Sequence, residues 1–176
     1  MSNPRRNLEL KARLRNPAAA RKLAETLADR PVELQTQCDT YFHCRRGRLK
    51  LREIDGRGGQ LICYERADRA EPKASDYRLV EVGACRGLGE ALAAALGVRA
   101  VVRKHRRIYW HRNVRIHLDE VESLGDYLEF EAVCADSADE TVSRRLVDEL
   151  TTRFGLMPDD LRCGSYSDML AALDGG

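Results

Sequence analysis

Several short runs of this sequence place ionisable residues two apart, the spacing that puts side chains on one face of a β-strand. Glu9, Lys11 and Arg13 recur in this way. So do Lys50 and Arg52, Lys104 and Arg106, Arg115, His117 and Asp119, and finally Glu129 and Glu131. The rows are sorted by sign: Lys50/Arg52 and Lys104/Arg106 are purely basic, Glu129/Glu131 purely acidic. Like charges side by side on one face repel, and a ligand of opposite sign relieves that cost. Basic rows suit a polyanion. Acidic rows suit hard cations such as magnesium or manganese, which take oxygen ligands. A solvated outer face is the ordinary reading of any one such strand, but it leaves the sorting unexplained. If the sheet closes on itself, a charged face can turn inward. Basic and acidic walls around one space then describe a site for a metal–polyphosphate complex.

The elements that must position these rows are legible. Asn7 to Arg15 alternate strictly, with Leu8, Leu10, Ala12 and Leu14 on one face, so the segment is a half-buried strand. Asn16-Pro17 supplies a cap and a first-turn proline for an alanine-rich helix through Asp29, and Pro31 stops it. Strands follow over Glu33 to Cys44, Leu49 to Ile54 and Leu61 to Arg66, with the glycine-rich stretch Asp55 to Gly59 as a hairpin turn or loop. Ala67 to Ser75 reads as a mobile loop, Tyr77 to Val82 as a strand, and Gly87 to Leu96 as a helix closed by Gly97. Val98 to Trp110 and Val114 to Val121 form a long hairpin, and Tyr127 to Cys134 is one more strand. In Asp139 to Phe154, Val142, Leu146, Val147, Leu150 and Phe154 have amphipathic helix spacing, and a last helix runs from Ser167 to Leu173. The prediction is one α+β domain over residues 1–176, with about eight strands joined mostly as hairpins and helices packed outside.

Composition narrows the function. Charged residues make up 33% of the 176, yet the net charge is only +2, which argues against a dedicated nucleic-acid coat. No apolar run approaches the roughly 20 residues that cross a bilayer. Met1 to Arg6 has no apolar leader core, so a soluble cytoplasmic protein without a membrane partner is expected. Six scattered cysteines without a C-x-x-C pair predict reduced, mostly buried thiols rather than zinc ligands or disulfides. His43, His105 and His111 have no ligand-like spacing, whereas His117 shares the face of Arg115 and Asp119. Walker loops, dinucleotide glycine motifs and nucleophile elbows are missing from the sequence.

The segment Asn7-Leu8-Glu9-Leu10-Lys11-Ala12-Arg13 resembles the E-x-E-x-K signature of the CYTH superfamily, the triphosphate tunnel metalloenzymes that include class IV adenylyl cyclases and thiamine triphosphatases. Further similar stretches follow in order: Arg48 to Arg52, Tyr64-Glu65-Arg66, Lys104-His105-Arg106, Arg115 to Val121, Leu128 to Glu131, and Ser165 to Leu170 at the end. The resemblance implies an eight-stranded antiparallel closed β-barrel forming a tunnel. It implies that Lys11, Arg13, Lys50, Arg52, Arg66, Lys104, Arg106 and Arg115 grip a small-molecule triphosphate. Glu9, Glu129 and Glu131 would bind Mg2+ or Mn2+, with Asp119 a further ligand and Glu9, Lys11 and Glu131 catalytic. Lys73 and Arg78 are additional basic candidates. One departure is visible: the signature's first glutamate is Asn7, whose amide oxygen can coordinate a cation but carries no charge. The family's two reactions are cyclisation of ATP to cyclic AMP with release of pyrophosphate, and hydrolysis of an inorganic or organic triphosphate. The stretch Thr40-Tyr41-Phe42 looks more like the bacterial cyclase branch. Two rivals stand beside these: a sensor that binds without turnover, and a barrel for single-stranded nucleic acid. Aromatic content of 6% and the Glu129/Glu131 row argue against the second. A homodimer is compatible with everything in the sequence.

Overall fold

The computed structural model describes residues 5–66, 71–134 and 137–174; for 5–6, 66, 73–74, 137–138 and 174 the backbone alone is described. Eight antiparallel strands close into a barrel in the order β1-β5-β4-β3-β2-β6-β7-β8. They are β1 (Arg5–Arg13), β2 (Glu33–Phe42), β3 (Arg48–Ile54), β4 (Gly58–Arg66), β5 (Lys73–Val82), β6 (Val98–His111), β7 (Val114–Val121) and β8 (Gly125–Cys134). The four helices are α1 (Pro17–Leu27), α2 (Cys85–Leu96), α3 (Ser137–Arg153) and α4 (Tyr166–Asp174). Strands β2 to β5 form one meander and β6 to β8 another. The pairing of β2 with β6 joins them on one side, and β1 bridges β5 and β8 on the other. No edge is left among the described strands, which is what closure achieves.

Local chemistry explains the joints. Asn16 accepts from the Ala19 amide at 3.0 Å and Pro17 opens α1, as the sequence predicts. Asp55 and Gly56 both take positive φ (52° and 65°), and the Arg57 amide donates to the Ile54 carbonyl. This is the type I′ turn whose twist suits a hairpin. The glycine-rich stretch is therefore shorter as a loop than expected, because Gly58 and Gly59 already belong to β4. A Cβ on Gly59 would stand 1.9 Å from the Arg52 carbonyl oxygen, so only glycine lets β4 lie this close to β3. Strand β5 likewise starts at Lys73, inside the stretch expected to be a loop, of which residues 67–70 lie outside the described residues.

The outer barrel face supplies the core. Leu8, Leu10, Ala12, Ile116, Leu128 and Phe130 pack against Ala20, Ala24 and Leu27 of α1 and Leu146, Val147 and Leu150 of α3. Helix α3 turns Leu146, Val147 and Leu150 inward as expected, but Val142 is 65% exposed, on the outer side of the helix, while its neighbour Ser143 is buried against Asn113. Helix α2 covers Phe42, Leu49, Leu51 and Leu61. Helix α4 closes one end of the barrel: Tyr166, Met169 and Leu170 meet Tyr41, Val102, Val121 and Tyr127. Its first turn is fastened by Asp168, which accepts from Arg48 (2.9 Å) and Arg99 (2.6 Å) and from the backbone and hydroxyl of Ser165. No helix among the described residues is long and apolar enough to cross a membrane.

Phe130 is fully buried and meets Phe154 edge-on at 5.4 Å between ring centres. Phe130→Ala should lower unfolding free energy by about 3–5 kcal/mol, read by urea denaturation. A loss under about 1 kcal/mol would mean that α3 is not the cover of this core.

Candidate functional site

With the apolar face packed outward, the alternate residues of every strand must face the lumen. That lumen is a cavity of about 460 Å3 lined by Asn7, Glu9, Lys11, Lys50, Arg52, Lys104, Arg106, Arg115, His117, Glu129 and Glu131, among others. The sorted rows of the sequence are thus brought together in one enclosed space.

The basic wall is built on β2, β3 and β6, and its centre is Asp39. Register places Asp39 directly opposite Arg52 on β3. Arg52 forks onto both carboxylate oxygens (2.7 and 2.8 Å), while Lys50 at 3.0 Å and Lys104 at 3.1 Å share one of them. The Asp39 carboxylate has no exposed surface. Burial alone would raise its pKa, but Arg52, Lys104 and Lys50 hold it well below the usual carboxylate range. The lysines show the reverse. Burial, and Arg52 alongside, push Lys50 down to about 7 against the pull of Asp39. Burial pushes Lys104 down to about 8, again opposed by Asp39.

The opposite wall is built on β1, β7 and β8, and register again explains it. Glu131 lies opposite Glu9 on one side and Arg115 on the other; Glu129 lies opposite Lys11 and His117. Lys11 meets Glu129 at 2.7 Å and sits over the Tyr166 ring at 3.4 Å. Arg106 bonds both Glu129 and Asp119 at 2.5 Å. Burial would raise the Glu129 pKa, yet Lys11 and Arg106 hold it well below its ordinary value. Glu131 accepts from Arg115 at 3.0 Å and from the amide nitrogen of Asn7. Each ring nitrogen of His117 stands 3.6 Å from one of these two glutamates, beyond hydrogen-bond length. Burial and Arg106 lower the His117 pKa, so the ring is neutral near neutral pH and these contacts are not ion pairs.

Three expectations change. Arg13 has the inward parity but is exposed beyond the sealed end of the barrel and does not line the cavity. Asp119 is fully buried behind Tyr166, with its oxygens taken by Arg106 and by the Tyr166 hydroxyl at 2.9 Å. It holds the basic wall rather than facing the lumen as a metal ligand. Arg78 points outward between the inward-facing Tyr77 and Leu79. The side chains of Arg66 and Lys73 lie outside the described residues. His117 does line the cavity. Asp39 was missed, although Gln35, Gln37, Asp39 and Tyr41 repeat every second residue along β2 and all but Asp39 reach the cavity wall. Tyr166 was missed as a lining residue because it arrives from α4, which no strand periodicity announces.

Among the described residues no three His, Cys, Asp or Glu side chains converge closely enough to hold a metal as they stand. The donor chemistry nevertheless fits a hard cation. Glu9 and Glu131 are opposite one another, Glu129 is two residues away, and the buried Asn7 side-chain oxygen has no hydrogen-bond partner.

An eight-stranded antiparallel barrel closed around sorted cations and carboxylates is the class that fold and site together define. The chain belongs to the CYTH domain family, whose model matches residues 5–160. Among solved structures it is similar to a protein of Pyrococcus horikoshii OT3, 24% identical, covering 92% of this chain and 98% of that one with a TM-score of 0.80. It is also similar to a Vibrio parahaemolyticus protein named as a candidate adenylate cyclase, 19% identical, covering 97% and 99% with a TM-score of 0.77. A Hippeastrum protein, named as a candidate adenylyl cyclase with a dominant triphosphatase activity, is 15% identical, covering 96% of both chains with a TM-score of 0.66. At these identities the likeness establishes the fold. No curated protein matches the sequence significantly.

Lys50 and Lys104 lose their charge as pH rises through about 7 and about 8. Metal-free affinity for inorganic tripolyphosphate, followed by calorimetry, should therefore fall across that window, by roughly tenfold for each lysine discharged. A flat profile would place both lysines outside the anion site. Asp39→Asn leaves Lys50, Arg52 and Lys104 facing one another without their shared counter-ion. It should cost about 3–5 kcal/mol of stability. Added tripolyphosphate should recover more of the thermal midpoint in this variant than in the wild type.

Proposed function

We propose that this protein is an enzyme that takes a triphosphate together with Mg2+ or Mn2+ into the closed barrel and cleaves a phosphoanhydride bond there. The observation that carries this reading is the charge inventory of one buried region. Lys11, Lys50, Arg52, Lys104, Arg106 and Arg115 stand against Glu9, Asp39, Asp119, Glu129 and Glu131. The two sets almost cancel. A bare polyanion would be attracted by the bases but opposed by the acids, whereas an anion that brings its own divalent cations can give its oxygens to the bases and its metal to the acids and so bind more tightly. A single-stranded nucleic acid would have to run its phosphates past the acidic wall, which disfavours that reading.

In this reading Lys50, Arg52, Lys104 and Arg106 hold the phosphate chain, and Arg115 guards the side nearest Glu131. Glu9, Glu129, Glu131 and the Asn7 oxygen would hold the metal, which lowers the pKa of the attacking oxygen when bound. Of Glu9 and Glu131, the one whose carboxylate keeps an oxygen free of the metal would take the proton that the attacking oxygen gives up. Lys11 lies beside them and stabilises charge on the phosphoryl group being transferred. Two nucleophiles fit this arrangement. A ribose 3′-hydroxyl attacking the α-phosphorus would form cyclic AMP and release pyrophosphate, and the name of the Vibrio protein supports this form. Water attacking the terminal phosphorus would release orthophosphate and leave a diphosphate. The dominant triphosphatase activity of the Hippeastrum protein supports that alternative. All six cysteines are free thiols, as a reducing cytoplasmic setting would keep them, but only Cys85 and Cys134 are buried, against the expectation of mostly buried thiols.

Pure protein incubated with ATP, thiamine triphosphate or inorganic tripolyphosphate plus Mg2+ or Mn2+ should release cyclic AMP with pyrophosphate, or orthophosphate, each measured separately. Glu131→Gln should lower kcat by about 10²–10³ with little change in KM. Arg52→Ala should instead raise KM by roughly tenfold. Wild-type kcat in the Glu131 variant would remove the catalytic assignment. Absence of both turnover and metal-dependent binding would remove the reading itself.

A further inference from the structure

Two of the three walls of the lumen carry most of its charge; among the described side chains that the third turns to the cavity, only Glu81, at the cavity's edge, is charged. Between the basic strands and β1, the β4–β5 pair turns Ile62, Tyr64, Tyr77 and Leu79 toward the cavity in two directly opposed pairs, Ile62 with Leu79 and Tyr64 with Tyr77. Ile62 is also the cross-strand neighbour of Lys50, so this apolar surface begins beside the basic wall.

Ile62 and Tyr64 are buried by their neighbours, but packing does not account for the β5 pair. On β5 the outward side chains Asp76, Arg78 and Val80 are solvent-exposed, whereas Tyr77 and Leu79 face the cavity and keep part of their surface accessible inside it. None of the four inward residues belongs to the apolar clusters that join barrel to helices. Apolar surface left accessible in a cavity represents about 25 cal/mol per Å2 that an apolar ligand group recovers on binding. Phosphate oxygens recover nothing there, because leaving water for an apolar wall costs them their hydration. The about 460 Å3 of the cavity falls in the range of sites that enclose a whole organic ligand. One step further along the same strands, Gln60 donates to Glu81 at 3.1 Å at the cavity's edge. That edge offers an amide and a carboxylate, groups that read polar edges of an organic ring and repel additional phosphates.

Resting on the triphosphate reading, we infer that the substrate is an organic triphosphate whose non-phosphate group lies along the β4–β5 wall. Ile62, Tyr77 and Leu79 set the preference for it over inorganic triphosphate. The phosphates then occupy the side of Lys50 and Arg52, and the organic group extends from Lys50 across Ile62 toward Leu79.

The test is the ratio of kcat/KM for ATP to that for inorganic tripolyphosphate, in the full chain with Mg2+ or Mn2+. The wild type should favour ATP. Leu79→Asn and, separately, Tyr77→Ala should each lower the ratio by about tenfold, the lower end of what a lost apolar contact produces. Thermal midpoint and tripolyphosphate binding check that each variant is folded. A wild type that favours tripolyphosphate, or variants that reduce both substrates in equal proportion, would overturn the inference while leaving triphosphate cleavage standing. Failure to bind or turn over either compound would overturn both.

Discussion

Closing the sheet forces the charged faces of β1, β2, β3, β6, β7 and β8 into one enclosed space, and the rest of the molecule follows from how those charges are matched. An unpaired ion in such a place is costly, and removing one partner of a buried pair exposes that cost. Here the bases are answered by carboxylates at hydrogen-bond distance: Arg52, Lys50 and Lys104 converge on Asp39, and Arg106 divides between Asp119 and Glu129. The pairing is register-dependent. A slip of one residue in β2 would carry Asp39 to the outer face and leave three cations unmatched. Charge pairing in the lumen and apolar packing on the outside therefore specify the same register, which makes the barrel's strand alignment doubly determined.

Helix α4 contributes to both. Tyr166 seals one end with its ring, lies beneath Lys11 and Lys104, and donates its hydroxyl to Asp119. Burial, with Asp119 and Glu129 nearby, raises the pKa of that hydroxyl well above its ordinary value, so it remains a donor. The helix is held by a charge device of its own. Burial opposes ionisation of Asp168, yet hydrogen bonds from Ser165 and the guanidinium groups of Arg48 and Arg99 bring its pKa down to about 2. A segment remote in sequence thus fixes the floor on which the basic wall stands.

How much of this was legible depended on whether periodicity carried it. Alternation in β1, β3, β6, β7 and β8 announced both the strands and the sorted rows, and Asn16-Pro17 announced α1. Periodicity states which residues share a face, not how far along the barrel that face remains open. Arg13 and Asp119 kept the right parity and still fell beyond or behind the Tyr166 seal. Asp39 was hidden for a different reason: a lone acid in a polar strand has no like-charged neighbour to mark it, and its meaning comes only from β3 and β6 folding against it. The apolar β4–β5 wall was invisible because inward apolar residues look like ordinary core until the helices are seen to lie elsewhere.

Asn7 shows what a single neutral position does in such a balanced space. The motif glutamate it replaces would add a carboxylate beside Glu131; the amide instead donates to Glu131 and leaves its own oxygen buried without a partner. Two consequences oppose one another. Removing a negative charge tilts the lumen toward anions, and the amide fixes Glu131 without competing for Arg115. On the proposed function, however, a cation arriving with the triphosphate would find one charged ligand fewer, and the orphaned oxygen would be the group left to compensate. Hard cations accept amide oxygens as well as carboxylates, at lower affinity for each charge removed. On the proposed function, metal retention would be shifted from the empty barrel toward the complex with the anionic ligand, whose own oxygens supply the missing charge.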